Sequence, residues 1–579
     1  MSAVQQSLTK KAPAGKGTGP VLLLGGGRGE ATCGILYLAG FLRRNGVEAY
    51  VRLCDWDQNE EELTRSLKRL MTRVKPSVVG ISLKWYLHVH RSLLIARIIK
   101  RIDPKVRVVL GGNSAALWWR ELLLHDCIDD VVMGDGEVPF LALCRGDTDA
   151  PNRAHRGADG APAKVPFGYV QTEASDDVFY SHFDDIFLSQ LDLSGFSGWI
   201  APGKGCDQSC VYCGGRRAAQ RLSFGRPMPF LRPPESVRQD HRELGPRVWQ
   251  YRYDFPGGST EYLCNVWPGL DLSKQSTTYF LWGVPAPGLV ASLSKTFHRA
   301  ALVLDIGCFS QTQRLALMGA SILKPCPTDE ALFATIDDCL RYPNLELEVS
   351  GIAGLPMATP AALDEEQRLM EQVIAKGCKV SYQRLQSQPG ALVTSHAERF
   401  GMVSESVSFD DFLTFFGKRK PGGAIPMVRF RDPALEKAVS RNCLKLDELV
   451  AAHLAAQEPA LTGRTKLAAS TVTRNVPLGE WLGQHVVPAK VANVPVTVLR
   501  SSNGAGMACA PTLDPRAFDD SMVQHGEAAT AVLETREACA RPTTLDAATS
   551  RLMKRLSVDE GSAHEVIEHL VSKHFVSRV

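Results

Sequence analysis

From Val21 onward, short apolar runs alternate with segments whose apolar residues recur every three or four positions. "VLLLGGG" reads as a strand buried on both faces, and "ATCGILYLAGFLRRNG" as a helix ended by Gly46. "VEAYVRLCD", "SVVGISL", "VRVVLGG" and "DDVVMG" predict four more strands, separated by "NEEELTRSLKRLMTRV", "HRSLLIARIIKRI" and "ALWWRELLLHD" as helices. Strand and helix in strict alternation predict a parallel, doubly wound, Rossmann-like sheet, with bounds at about 19–146. Such sheets bind ligands at the carboxyl ends of their strands. Here those ends carry Gly25-Gly26-Gly27, Ser82-Leu83, Gly111-Gly112 and Gly134-Asp135-Gly136-Glu137.

The segment "RGDTDAPNRAHRGADGAPAK" has no apolar period, and 147–194 reads as a linker. A second series then begins near Gly195, with strands in "GWIAPG", "RVWQYRYDF", "TTYFLWGV", "AALVLDIG", "LELEVSGIAG" and "KVSYQRLQ". Six βα units over 195–402 predict a partial (β/α)6 barrel, two units short of a closed one. The remainder, 403–579, mixes a long helical stretch, strands in "VPVTVLRSS" and a helical ending, so an α+β or helical C-terminal domain is expected. It carries no catalytic signature and no internal repeat.

Composition changes little in this picture. Apolar residues at 44% and charged residues at 22% are ordinary for a globular chain, and 579 residues exceed one core. A formal net charge of +4 gives no case for a nucleic-acid binder. Fifteen cysteines without periodic spacing point to a reducing compartment rather than a disulfide scaffold. No apolar run is long enough to cross a membrane, and 1–18 lacks the apolar segment of a secretory signal and reads as a disordered tail. A cytoplasmic monomer is expected.

The candidate chemistry lies in "GKGCDQSCVYCGGRR", where Cys206, Cys210 and Cys213 stand in the spacing C-x3-C-x2-C. Three thiols are one short of a closed zinc site, and no second C-x2-C exists to complete one. A cuboidal cluster held by three thiolates keeps one iron open, and flanking glycines let the backbone approach it. With this spacing, followed by Gly-Gly and placed after the first of six βα units, the chain resembles the radical S-adenosylmethionine (SAM) superfamily. The resemblance implies a [4Fe-4S] cluster on the three cysteines, with SAM on the open iron. It further implies SAM contacts from Tyr212 and Gly214, from Gly257 and Gly258 of "YRYDFPGG", from Gly351 and Gly354 of "VSGIAGLP", and from Gln383 of "SYQRLQSQPGAL". For the glycines, an ordinary turn at a strand end is the competing reading, and the acidic third residue often seen after Gly257-Gly258 is missing.

"GGGRGEATCG" fits neither dinucleotide nor P-loop spacing. "VVGISL", "VRVVLGGNSA" and "DDVVMGDGE" instead resemble strand ends of the cobalamin-binding domains that precede many radical SAM enzymes. That resemblance implies a slot lined by Gly27, Ser82, Leu83, Lys84, Trp85, Gly111, Gly112, Asn113, Gly134, Gly136 and Glu137. The Asp-x-His-x-x-Gly motif that gives cobalt an imidazole is absent. Trp85 would then face the lower axial side of cobalt, with Lys84 as the second choice and plain packing as the alternative. His88 and His90 read as solvated.

Taken together, the resemblances imply a cobalamin-dependent radical SAM methyltransferase, most like those acting on natural-product precursors. It would move methyl from SAM, by way of methylcobalamin, to a substrate carbon. A ring-closing or rearranging enzyme without net methylation is the alternative, and a non-catalytic cluster and corrinoid sensor is the alternative of another class. Expected partners are a small-molecule or carrier-bound substrate and an external donor of the flavodoxin or ferredoxin type. Tyr253, Tyr279 and Trp282, with Tyr251 and Tyr382, stand near barrel strand ends as candidates for the substrate pocket, with ordinary core packing as the competing account.

Overall fold

The computed structural model describes residues 19–25, 33–54, 59–171, 178–187, 197–245, 248, 250–254, 260–283, 285–417 and 425–457, four short strands beyond them, and isolated positions between 550 and 563.

The first five strands are β1 (Val21–Gly25), β2 (Ala49–Leu53), β3 (Val78–Ser82), β4 (Arg107–Gly111) and β5 (Asp130–Val132). They pair in parallel in the order β2-β1-β3-β4-β5. Helices cover both faces, which is why these strands read as unbroken apolar runs: Val21 to Leu24 are at most 1% exposed.

Part of the expected linker belongs to this sheet. β6 (Arg153–Arg156) and β7 (Pro162–Lys164) extend it antiparallel beyond β5. Arg153 Nε donates to the buried Asp130 at 2.6 Å, an ion pair that a search for apolar periods cannot see. Residues 178–187 are also structured. Phe179, Tyr180, Phe183 and Ile186 are buried, and the backbone N–H of Val51 donates to Ile186 O at 2.8 Å along the free edge of β2.

The second sheet runs β8 (Ser197–Ile200), β11 (Gln250–Asp254), β12 (Ser276–Trp282), β13 (Arg299–Asp305), β14 (Leu345–Ala353) and β15 (Lys379–Arg384), each parallel to the next. Between the first two lie the short antiparallel β9 (Gly203–Lys204) and β10 (Phe230–Leu231). β15 does not pair with β8, so the barrel is partial and open.

Its outer face carries Tyr251, Tyr253 and Tyr279. Tyr253 is fully buried, Trp267 Nε1 donates to its hydroxyl at 3.0 Å, and that hydroxyl lies 3.0 Å from His241 Nε2. His241 and Trp267 come from the helical layer outside the sheet, so Tyr251, Tyr253 and Tyr279 are core residues and not pocket walls. In a parallel sheet both faces are apolar, and alternation alone does not say which one is inside. Tyr382 also faces outward, donating to Cys443 O at 2.7 Å.

The described residues of 403–457, expected to open a separate domain, strap the first two units together. The helix Phe409–Gly417 seats Phe412 against Tyr86 (ring centroids 5.4 Å apart) and Phe409 against Trp118 (5.4 Å), both in the first domain. The helix Pro433–Gln457 lies against the helix Pro360–Ala375 and β15, where Asn442 Nδ2 donates to the buried Glu366 at 2.8 Å. Beyond it, β18 (Val486–Val491), β19 (Val494–Arg500), β20 (Gly506–Cys509) and β21 (Val523–His525) form an antiparallel sheet, numbered after the β16 (Met402–Ser404) and β17 (Val428–Phe430) pair. Most of the helical ending lies outside the described residues.

Candidate active site

The three cysteines follow β9 at the carboxyl end of the barrel. Each sulfur accepts one backbone N–H: Cys206 from Gln208 (3.4 Å), Cys210 from Lys324 (3.2 Å) and Cys213 from Gly215 (3.3 Å). Such donors are what a cluster-bearing thiolate needs to spread its charge. Burial pushes the Cys206 thiol up to about 11 and raises Cys210 and Cys213 as well. Without metal these are therefore thiols, and metal binding would have to release their protons. Among the described residues no three Cys, His, Asp or Glu side chains converge closely enough for one metal ion. The charges of Cys210 and Cys213 both bear on Cys206, so the three sulfurs share one site, as three iron corners of one cluster require.

The loop is braced by the turn after β15. Gly214 N–H donates to Gln388 Oε1 at 3.2 Å, and a Cβ on Gly214 would stand 2.3 Å from Pro389 O. Only glycine fits there. Tyr212 packs at the core edge, its phenol raised by burial and then by Asp305. The other expected SAM contacts divide. Gln383 is exposed at the mouth. Gly351 lies under the Phe309 ring on the outer face and Gly354 against Val439, so packing accounts for both. Gly257 and Gly258 lie outside the described residues.

At the mouth of the first sheet, the ends of β3 and β4 nest together. Gly112 has φ +108°, and a Cβ there would stand 2.9 Å from Leu83 and Lys84 backbone atoms. Asn113 follows, with a buried Oδ1 that has no hydrogen-bond partner among the described residues. Trp85 is 45% exposed, unusual for a large ring in a sheet-end loop. Ser82 and Gly111 are half-buried beside them, and Gly136 precedes the helix Glu137–Cys144. An orphaned amide oxygen, a bare ring and a close backbone nest fit a large amide-rimmed ligand such as a corrinoid.

Three expected contacts are committed elsewhere. Leu83 is wholly buried in the core. Gly134 lies against the backbone of Phe224, in the helix following the cysteines. Glu137 Oε1 accepts from Lys204 Nζ at 2.8 Å. Gly27 lies outside the described residues. His88 and His90 are half-buried rather than solvated, and burial lowers His90.

The two mouths face each other. Lys84, from the end of β3, has its Nζ 6.0 Å from the Trp85 ring centroid and 5.8 Å from that of Trp199, on β8. Trp199 lies on the inner face, in register with Arg252. The Arg252 guanidinium sits 4.7 Å from the Trp199 ring and 5.1 Å from Phe280, and the two rings are parallel within 4° at 6.2 Å. Trp282, in register with Asp305, continues the same wall, so of the three pocket candidates it alone faces inward. Trp199, Arg252, Phe280, Asp305 and Lys324 were not singled out from sequence. Trp199 and Phe280 were visible as aromatics at strand ends, but the sign of the alternation was not.

Residues 29–144 match the family model of the B12-binding domain. No curated protein matches the chain in sequence. Among solved structures the chain is similar to the radical S-adenosylmethionine methyltransferase TsrM from Kitasatospora setae. Against the form with cobalamin and [4Fe-4S] cluster bound, the TM-score is 0.57 at 14% identity, covering 80% of this chain and 94% of that one. Against the form with tryptophan substrate and a SAM analog, it is 0.56 at 15% identity, covering 74% and 89%. At such identities the likeness establishes the fold alone: a parallel αβ domain, matched at 29–144 by the B12-binding model, ahead of an open, partial βα barrel.

Proposed function

We propose that the chain is a cobalamin-dependent radical SAM methyltransferase that alkylates a carbon of a small natural-product precursor. The observation that carries this reading is Lys84, which stands between Trp85 of the B12-binding domain and Trp199 of the barrel. Lys84 brings the strand ends of the two sheets together, which supports groups held at each end acting on one substrate.

Cys206, Cys210 and Cys213 would hold the cluster, and Gly112, Asn113 and Trp85 the corrinoid. When bound, these groups and SAM supply the one-electron and methyl-transfer chemistry. The protein's own work is positioning. The Gly214–Gln388 bond holds the cysteine loop against the turn after β15. The ion pairs of Lys204 with Asp135 and Glu137 hold the loop's first residues to the end of β5, setting the distance between the two mouths. Trp199, Phe280 and Trp282 offer a flat inner wall with Arg252 against it, suited to a planar substrate bearing an anionic group. TsrM was solved with tryptophan as substrate, which carries a planar indole and a carboxylate, and that supports the reading of this wall.

Anaerobic reconstitution with iron, sulfide and hydroxocobalamin tests the reading. We expect about four irons per chain, a bound corrinoid spectrum, and S-adenosylhomocysteine together with a methylated product when candidate precursors are added. 5′-Deoxyadenosine without S-adenosylhomocysteine would favour the rearranging alternative. Zinc in place of iron, or no corrinoid uptake, would overturn the reading.

A further inference from the structure

One charged group in this site has no role in the reading above. Lys324 lies in the turn between the helices Gln311–Gly319 and Asp329–Cys339 and is only 3% exposed. It meets the site at both ends. Its backbone N–H donates to Cys210 Sγ at 3.2 Å, while its ammonium lies 3.0 Å from Asp305 Oδ2 and 5.9 Å from the Trp282 ring centroid.

Asp305 does not fully satisfy that ammonium. The pair is a charge contact, and Nζ is buried with no hydrogen-bond partner among the described residues. Asp305 also accepts from Gly307 N–H at 2.8 Å, and its side chain is 24% exposed. A cation so placed is costly unless further negative charge stands near it. An anionic centre on the cysteine sulfurs, one of which accepts the Lys324 backbone N–H at 3.2 Å, would supply that charge.

We propose that Lys324 is a positioning residue that sets the reduction potential of the centre on Cys206, Cys210 and Cys213. When one electron arrives from an external one-electron donor, the centre gains one negative charge and no bond changes. A fixed cation on the residue whose backbone N–H meets Cys210 Sγ at 3.2 Å, in a poorly polarisable site, stabilises the reduced form and moves the potential up. Asp305 holds the ammonium in place and moderates its effect, so removing each partner should act in opposite directions. A purely structural ion pair would not show opposite signs.

The inference rests on the cluster reading, and the test separates the two. The full-length chain is reconstituted anaerobically with iron and sulfide, without SAM, and titrated with dithionite and redox dyes while the reduced centre is followed by electron paramagnetic resonance. Lys324→Met should shift the midpoint negative by at least the equivalent of a roughly tenfold loss in the reduction equilibrium, about 59 mV for one electron. Lys324→Arg should stay near wild type, and Asp305→Asn should shift positive. Wild-type potentials in both Lys324→Met and Asp305→Asn, at full iron content, would overturn the proposal. If Lys324→Met holds no iron, Asp305→Asn decides, and no positive shift there overturns it. A wild-type chain that takes up no iron defeats the cluster reading itself and this proposal with it, on a different readout.

Discussion

Lys204 Nζ stands 2.8 Å from Glu137 Oε1, joining the residue two before the first cysteine to the loop that leaves the fifth strand of the B12-binding domain. Asp135 is 3.2 Å from the same ammonium and also pairs with Arg226. Two buried acids, the buried Arg226 and the half-buried Lys204 thus form one charge network where the cysteine loop meets the first domain. Lys204→Met would leave Glu137 without its cation and Asp135 with Arg226 alone, and breaking such a pair costs about 3–5 kcal/mol when it is buried. We expect a lower thermal midpoint and faster hydrogen exchange in 130–144 and 203–226, read by mass spectrometry.

The same network predicts an acid-labile domain contact. Burial alone would raise the Asp135 carboxyl, but Lys204 and Arg226 hold it below its ordinary value of 3.8. A depressed folded-state value gives stability that is present above 3.8 and is lost as pH falls through the folded value. Asp135→Asn should be less stable than wild type at neutral pH and lose less on acidification, measured by thermal melts from pH 7 to 3.

Glu366 predicts the opposite slope. Burial between the helices Pro360–Ala375 and Pro433–Gln457 pushes its carboxyl up to about 8, with Asn442 pulling only weakly against it. The folded value is raised, so the native state binds a proton the unfolded chain has released. The contribution is full below the ordinary value of 4.5 and declines as pH rises toward 8. Glu366→Gln stays neutral and can still accept from Asn442. Its melting temperature should vary less than wild type between pH 5 and 8.

Gly214→Ala should separate the cluster site from the fold. The added Cβ would meet Pro389 O at 2.3 Å, which only a shift of the loop or of the turn after β15 can relieve. We expect a folded chain by circular dichroism that binds well under the wild-type iron content. Full iron binding would show the brace to be dispensable.

Trp85→Ala should cost little stability, because the ring is 45% exposed and surface substitutions usually stay within about 0.5 kcal/mol. If the ring faces the corrinoid, the variant should retain less cobalamin on gel filtration and show a shifted corrinoid spectrum. A lower melting temperature with normal cobalamin would assign Trp85 to packing.

Much of the site was legible because its chemistry is local. The C-x3-C-x2-C spacing and its glycines name a three-thiolate loop wherever the chain goes next. The Leu83-Lys84-Trp85 and Gly111-Gly112-Asn113 segments announce themselves as strand ends. Glu137 and Tyr253 share one difficulty: a buried polar side chain is assigned by its partner. Lys204 is 67 residues from Glu137, and His241 is 12 from Tyr253.

The sequence by itself determined the number and order of the parallel strands, since apolar runs and helical periods are written residue by residue. It also determined the thiol trio, which spacing alone specifies. Only the tertiary structure decided which face of each barrel strand is inside, because both faces of a parallel sheet are apolar. It alone brought Lys324 to Cys210, which depends on how the barrel curls, and Lys84 to Trp199, which depends on how the two sheets close on each other; neither leaves a trace in local pattern.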